Sequence, residues 1–235
     1  MLQVTFDKIV YRQFPMAMNS RDTSIHFLGL LKQKHHLDIS RMLMATSFCA
    51  DELNNENTSF FGVVNGPFMM GGLAGMPFTG VTGMKAFAHH IPEGGSAMIF
   101  YGAHIGITHE GELGKAWRPG QQSAGASCGA LMNALGHLSD DSYRPGDGED
   151  DHQMYFIEKK LLPHREEIIR AENPKLRITE ITFELIDRQI HEYLEKARAE
   201  FNIKKLALLG GIIINTGYGI DDYFVPKNFE VLLMK

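Results

Sequence analysis

Apolar positions along the chain change their period several times, and each change marks an element. In "DTSIHFLGLLKQKHHL" (22–37), Ile25, Leu28 and Leu31 recur at helical spacing behind Thr23 and Ser24, which serve as caps of a surface helix. "RMLMATSF" (41–48) is a short apolar run that reads as a strand ending at Cys49. "GSAMIFYGAHIGIT" (95–108) is longer and apolar on both faces, the signature of a buried strand, and it runs through His104. Between them, "FTGVTGMKAFAHHIP" (78–92) reads as a loop capped by Thr82 into a helix that Pro92 stops just after His89 and His90. "CGALMNALGHL" (128–138) sets Leu131, Leu135 and Leu138 on one helical face and leaves Cys128 in the first turn.

Farther along, "YRPGDGEDDH" (143–152) is the strongest loop signal of the chain. "EEIIRA" ends a helix that Pro163 restarts, and Ile186, Ile190, Leu194, Ala197 and Phe201 mark a long amphipathic helix ending near "FNIKK". "KLALLGGIIINT" and "FEVLLMK" read as two more strands. Helices and strands alternating in this way predict an α/β fold with a largely parallel sheet flanked by helices. The 235 residues, 44% of them hydrophobic, suffice for one domain over 1–235, and no internal repeat or low-complexity tract divides them.

Charge narrows the partners. A net charge of −5 without long runs of one sign gives no basis for nucleic-acid or anionic-membrane binding. No stretch reaches the ~18 apolar residues of a membrane span, and "MLQVTFDKIVYRQFP" lacks the basic-then-apolar order of a secretory signal. The chain reads as soluble and cytoplasmic, a targeting peptide already removed being invisible to such a reading. A small neutral or anionic ligand remains open.

Chemistry concentrates in the middle. Sixteen of the 24 glycines fall between Gly62 and Gly129, where backbone can pack closely around a site; a set of ordinary turns is the simpler alternative. Both cysteines also lie there or at its margin, and two cysteines make no disulfide scaffold. Cys49 follows one strand, His104 lies in a second and Cys128 starts a helix, and α/β folds gather ligands at the carboxyl ends of strands. Two thiolates and a neutral imidazole are good zinc ligands that leave a fourth tetrahedral position for water. A helix amino terminus lowers the pKa of Cys128 and so favours ligation. Buried thiols are equally at home as core fillers, and a buried histidine as a hydrogen-bonded core residue; spacings this long carry no proximity information.

The blocks "SFCADELN", "GGLAGMPFTGVTGMKAFAHHIPEGG", "YGAHIGI" and "SAGASCGA", spanning 47 to 129 within a motif core of 42–138, resemble the signature blocks of the limiting-CO2-inducible protein B (LCIB) family. These are the Cys-Gly-His-rich, theta-class carbonic anhydrases with a beta-carbonic-anhydrase-like fold. The resemblance implies Zn2+ on Cys49, His104 and Cys128, Asp51 beside it, and His89 and His90 near the site. It implies reversible hydration of CO2 to bicarbonate and a proton by hydroxide from zinc-bound water, in a homodimer whose contact includes the apolar "GGLAGMPF". Asp51 is expected to orient that hydroxide, and His89 or His90 to relay protons, unless they merely cap a helix end.

One departure stands out. Beta-carbonic anhydrases carry Cys-x-Asp-x-Arg, whereas Leu53 stands at the arginine position here, so Asp51 lacks that restraint and is free to close the site. Lys85 and Arg118 are the cations that could replace it. Two other readings compete: a catalytically silent zinc-binding member acting in CO2 or bicarbonate binding or in a carbon-concentrating complex, and a cysteine hydrolase pairing Cys128 with His104 as base. The hydrolase leaves Cys49 and Asp51 without a role.

Overall fold

A computed structural model describes residues 2–54, 60, 62–217 and 219–234. In chain order the elements are α1 (Leu2–Gln13), β1 (Met18–Asn19), α2 (Ser20–Gln33), β2 (Met42–Ser47), β3 (Asn65–Met69), α3 (Gly80–His90) and β4 (Ser96–Gly106). A short ribbon of β5 (Lys115–Ala116) and β6 (Gly125–Ala126) precedes α4 (Gly129–Leu138), α5 (His152–Leu161), α6 (Arg165–Ile169), α7 (Pro174–Ala197), β7 (Lys205–Asn215) and β8 (Tyr223–Leu233). The main sheet runs in the order β1-β8-β7-β4-β2-β3. Its β7-β4-β2-β3 part is parallel, and β8 and β1 add antiparallel pairings at one side. The largely parallel α/β fold expected from the alternating pattern is the fold observed.

Every residue of β4 is buried, because both sheet faces are covered. Ala97, Ile99 and Tyr101 belong to one core with residues of α3, α4, α5 and α7. Met98 and Phe100 belong to a second core with Phe27 and Leu31 of α2. Alternating side chains of a single strand thus seal two cores. Among the described residues, no helix is long and apolar enough to cross a membrane.

Several boundaries differ from the sequence reading for identifiable reasons. Helix α2 is capped by Asn19, whose side chain accepts the Arg21 N–H at 2.9 Å; Thr23 and Ser24 lie inside the helix and are buried. The buried face is therefore Thr23, Ser24, Phe27 and Leu31, and Ile25 is 66% exposed. Helix α3 starts at Gly80 with Thr79 at its N-cap position, three residues before the expected capping residue Thr82. Helix α7 begins well before Ile186, at a start signal of Asn173, which accepts the Leu176 N–H at 3.1 Å, followed by Pro174 in the first turn. Pro163 sits in a 3-10 turn, Leu162–His164, between α5 and α6. Strand β8 begins at Tyr223, before "FEVLLMK", whose last residue, Lys235, lies outside the described residues. The "GGLAGMPF" segment is mostly buried within its own chain and does not offer the surface expected of it.

Candidate metal centre

Parallel pairing in register brings the first two sulfur and nitrogen donors to one level of the sheet. Ser47 at the end of β2 pairs with Tyr101 of β4, so two further residues carry Cys49 level with Ala103, beside His104. Cys49 is then held from the far side. The Ala74 N–H points at its sulfur at 3.2 Å, in a tight turn where Ala74 has φ 57 and Gly75 φ 87. Gly75 is required there: a Cβ would lie 2.2 Å from the Gly102 carbonyl oxygen of β4. The Ser47 hydroxyl donates to the Gly75 carbonyl at 2.9 Å and locks the turn onto β2.

Cys128 arrives from a different direction. It occupies the N-cap position of α4, and its peptide segment is fixed by Gly106 N–H to Ser127 O and Ser127 N–H to Gly114 O, at 2.8 and 3.0 Å. The sulfurs of Cys49 and Cys128 are 3.7 Å apart. The pair is asymmetric. Hydrogen bonding from Cys49 holds the Cys128 thiol below its usual pKa, helped by the N–H groups of Leu131 and Ala130 in the first turn of α4, against the opposing effect of burial. The same hydrogen bond, together with burial, pushes Cys49 up. Cys128 is the more acidic of the two thiols.

His104 completes the group. Its Nδ1 lies 2.6 Å from Asn215 Oδ1. The Asn215 amide is itself oriented, since its Nδ2 donates to Asp222 Oδ2 at 2.5 Å, and its Oδ1 is therefore the atom offered to the imidazole. Nδ1 carries the hydrogen and Nε2 the lone pair. That Nε2 is buried with no hydrogen-bond partner among the described residues. An orphaned lone pair is costly in a protein interior unless something electrophilic meets it. Its neighbours are the two sulfurs, all three donor atoms lying within 4.8 Å of one another.

The donor set fits zinc. Two sulfurs at about 2.3 Å from a tetrahedral ion stand roughly 3.8 Å apart, which is close to the separation found here. Asp51 is not a member of the group. Its carboxylate is engaged by Arg118 instead, with Nη2 at 3.0 Å from Oδ1 and 2.8 Å from Oδ2, while the Leu53 N–H donates to Oδ1 at 3.1 Å. Arg118 also reaches Glu52 through Nε at 2.5 Å and the Ala126 carbonyl through Nη1 at 3.1 Å. It stands in the connection between β5 and β6, so the ribbon that carries it abuts the Cys128 segment. The cation missing at Leu53 is supplied from a distant part of the chain.

The remaining sequence-derived residues lie elsewhere. Lys85 pairs with Glu200 at 3.3 Å, on the exposed side of α3. His89 also meets Glu200, at 3.3 Å, and His90 packs edge-on against Phe68 with ring centroids 5.6 Å apart. Both histidines end α3, which returns the chain to the start of β4. His90 therefore lies beside Phe68, which is level with Ala45 and Ile99, whereas Cys49 and His104 lie beyond the carboxyl end of β2 and near that of β4. Within one chain the structure does not bring them to the sulfurs.

The sequence reading missed Asn215, Asp222, Ser127 and Asn54. The only signal for them was a polar pair, Asn215-Thr216, closing an otherwise apolar strand. Burial pushes the Asp222 carboxyl up to about 7, against the hydrogen bonds it accepts from Thr216 and Asn215.

A buried Cys-His-Cys group on a largely parallel α/β scaffold could hold a metal ion, and comparison with known proteins places the chain in a family. The family model of limiting CO2-inducible proteins B/C beta carbonic anhydrases matches residues 20–233. The chain belongs to this family. It is similar to the crystal structure of PtLCIB4, a homolog of the limiting CO2-inducible protein LCIB, at 30% identity and TM-score 0.88, covering 97% of this chain and 95% of that one. LCIB itself shares the fold at 21% identity and TM-score 0.72, over 94% of this chain and 92% of that one. No curated protein matches in sequence.

Proposed function

We propose that the chain is a zinc-dependent carbonic anhydrase that interconverts CO2 and bicarbonate. The observation that carries this reading is the buried, unpartnered Nε2 of His104 facing the two sulfurs, in a member of a beta carbonic anhydrase family. Cys49, Cys128 and His104 would hold Zn2+, which supplies Lewis acidity, bringing the pKa of water toward neutrality so that hydroxide can attack CO2.

The chain's own residues provide the rest. Cys128, the more acidic thiol, would ligate as thiolate, and Cys49 would give up its proton on metal binding. Asp51, fastened by Arg118, would accept a hydrogen bond from the attacking water and orient it toward the substrate. Held by Arg118 Nη2, that carboxylate would be kept off the metal. Homodimer formation belongs to the same reading, supported by the margin of the sheet at β3, where Val63 and Met69 are 52% and 66% exposed.

The purified protein is expected to hold about one zinc per chain, with Cys49→Ser, His104→Ala and Cys128→Ser each lowering that content in elemental analysis. Full retention in all three variants defeats the ligand assignment. Stopped-flow CO2 hydration then distinguishes an enzyme from a zinc-holding but silent member, which keeps its metal and shows no rate above buffer.

A further inference from the structure

Behind His104 lies a buried polar unit that touches every segment contributing a ligand. Asn215 Oδ1 accepts from His104 Nδ1 at 2.6 Å and from the hydroxyl of Ser127, the neighbour of Cys128, at 3.3 Å. Asn215 Nδ2 donates to Asp222 at 2.5 Å and, more weakly, to Asn54 Oδ1 at 3.4 Å; Asn54 in turn donates to the Cys49 carbonyl at 3.3 Å. All of these side chains are buried, so none can exchange a protein partner for bulk water. We propose that Asn215, oriented by Asp222, is a positioning residue: it fixes His104 with its lone pair on Nε2 and ties the three ligand-bearing segments together, thereby setting zinc affinity. The inference deepens the metal-site reading and rests on it.

The direction of each hydrogen bond makes the unit testable. Asp222 Oδ1 accepts the Thr216 backbone N–H at 2.9 Å, a donor that cannot turn away. In Asp222→Asn the new amide must keep its oxygen on that N–H, leaving an NH2 group where Oδ2 was. It then faces the NH2 of Asn215. Asn215 relieves the clash by turning over, which presents NH2 to His104 Nδ1 and drives the imidazole to the Nε2–H tautomer, unable to ligate. Exchanging the two residues restores the pattern: in Asn215→Asp with Asp222→Asn, the amide at 222 donates to the carboxylate at 215, which again accepts from His104 Nδ1. A residue that merely fills space gives no reason for the exchange to rescue.

The experiment uses the full chain with Zn2+ as probe, competed against a chromogenic chelator, together with 15N NMR of the His104 tautomer in the metal-free protein at alkaline pH. Asp222→Asn is expected to weaken zinc binding by about 10- to 100-fold, and the double exchange to recover at least about tenfold of that loss. The wild type and the exchange should show Nδ1–H, and Asp222→Asn should not. An unchanged tautomer in Asp222→Asn, or zinc affinity within about twofold of wild type, overturns the proposal. If the wild type binds no zinc while the tautomer follows this pattern, the positioning stands and the metal reading above fails. Loss of tautomer control in both Asp222→Asn and the exchange also counts against the proposal.

Discussion

Asp51 and Arg118 form the contact on which activity should be most sensitive. Their side chains are only 10% and 14% exposed, so cutting the pair leaves a nearly buried carboxylate uncompensated, at about 3–5 kcal/mol for such a site. Arg118→Ala is expected to keep most of the zinc and lower CO2 hydration by at least about tenfold, as Asp51 loses its restraint. Arg118→Lys should fall between, because a single ammonium cannot reach Asp51, Glu52 and the Ala126 carbonyl together as the three guanidinium nitrogens do. Parallel metal analysis and stopped-flow rates check both. Asp222 gives a pH signature of its own. Its folded pKa of about 7 lies above the ~3.9 of an unfolded aspartate, so the folded state binds this proton more tightly. The resulting stability is fully present below about pH 4 and is lost as pH rises through 7. In the metal-free protein, Asp222→Asn should therefore gain stability over wild type as pH goes from 4 to 8. Urea unfolding at both pH values measures the difference, and a constant gap between the two proteins contradicts it. At this scale the sequence disclosed Cys49, His104, Cys128 and Asp51 through a family resemblance. It offered Arg118 only as one of two cations and gave no sign of the role of Asn215, because a hydrogen-bond partner is chosen by distance in space.

Elements convert these contacts into a site by meeting end to end. Strands β2 and β4 set the level of Cys49 against His104, α4 aims Cys128, and the β5–β6 ribbon holds Arg118 over Asp51. The turn before α3 presses on β4, and its glycine is a tight joint of the assembly. Gly75→Ala must push a Cβ toward the Gly102 carbonyl, 2.2 Å away, at a φ of 87 that alanine disfavours. It is expected to cost about 1–3 kcal/mol and to lower zinc retention, since the Ala74 N–H that supports the Cys49 sulfur moves with it. Gly29→Ala provides the contrast. Inside α2 its added methyl meets nothing within 4 Å, and helix propensity favours alanine by up to about 1 kcal/mol. Thermal denaturation should show the two substitutions moving in opposite directions. Strands β2, β4 and β7 were legible because continuous apolar runs leave few alternatives. Helix α2 was legible as a helix but not in its facing, because Thr23 and Ser24 are buried while Ile25 is outside, an inversion that hydropathy alone does not reveal.

The described residues form one six-stranded sheet, a two-stranded ribbon and two apolar cores, with an exposed margin at β3. Edge strands leave backbone donors and acceptors unpaired, and apolar side chains beside them favour a covering surface. A mass in solution of twice the chain is the expected outcome of sedimentation equilibrium, and a single-chain mass at full hydration activity would falsify a shared assembly. The amino-acid sequence by itself determined the fold class, through the period of its apolar positions, and the chemical identity of the donors, through residue type and motif. Only the tertiary structure decided which of those donors meet. It drew two cysteines and a histidine from separate segments to within ligand distance, brought Arg118 in place of the cation absent at residue 53, and set His89 against Glu200 and His90 against Phe68. The physical reason is that local periodicity reports what a residue must bury, whereas convergence depends on strand register, crossover direction and the few tight joints that let distant backbone segments touch.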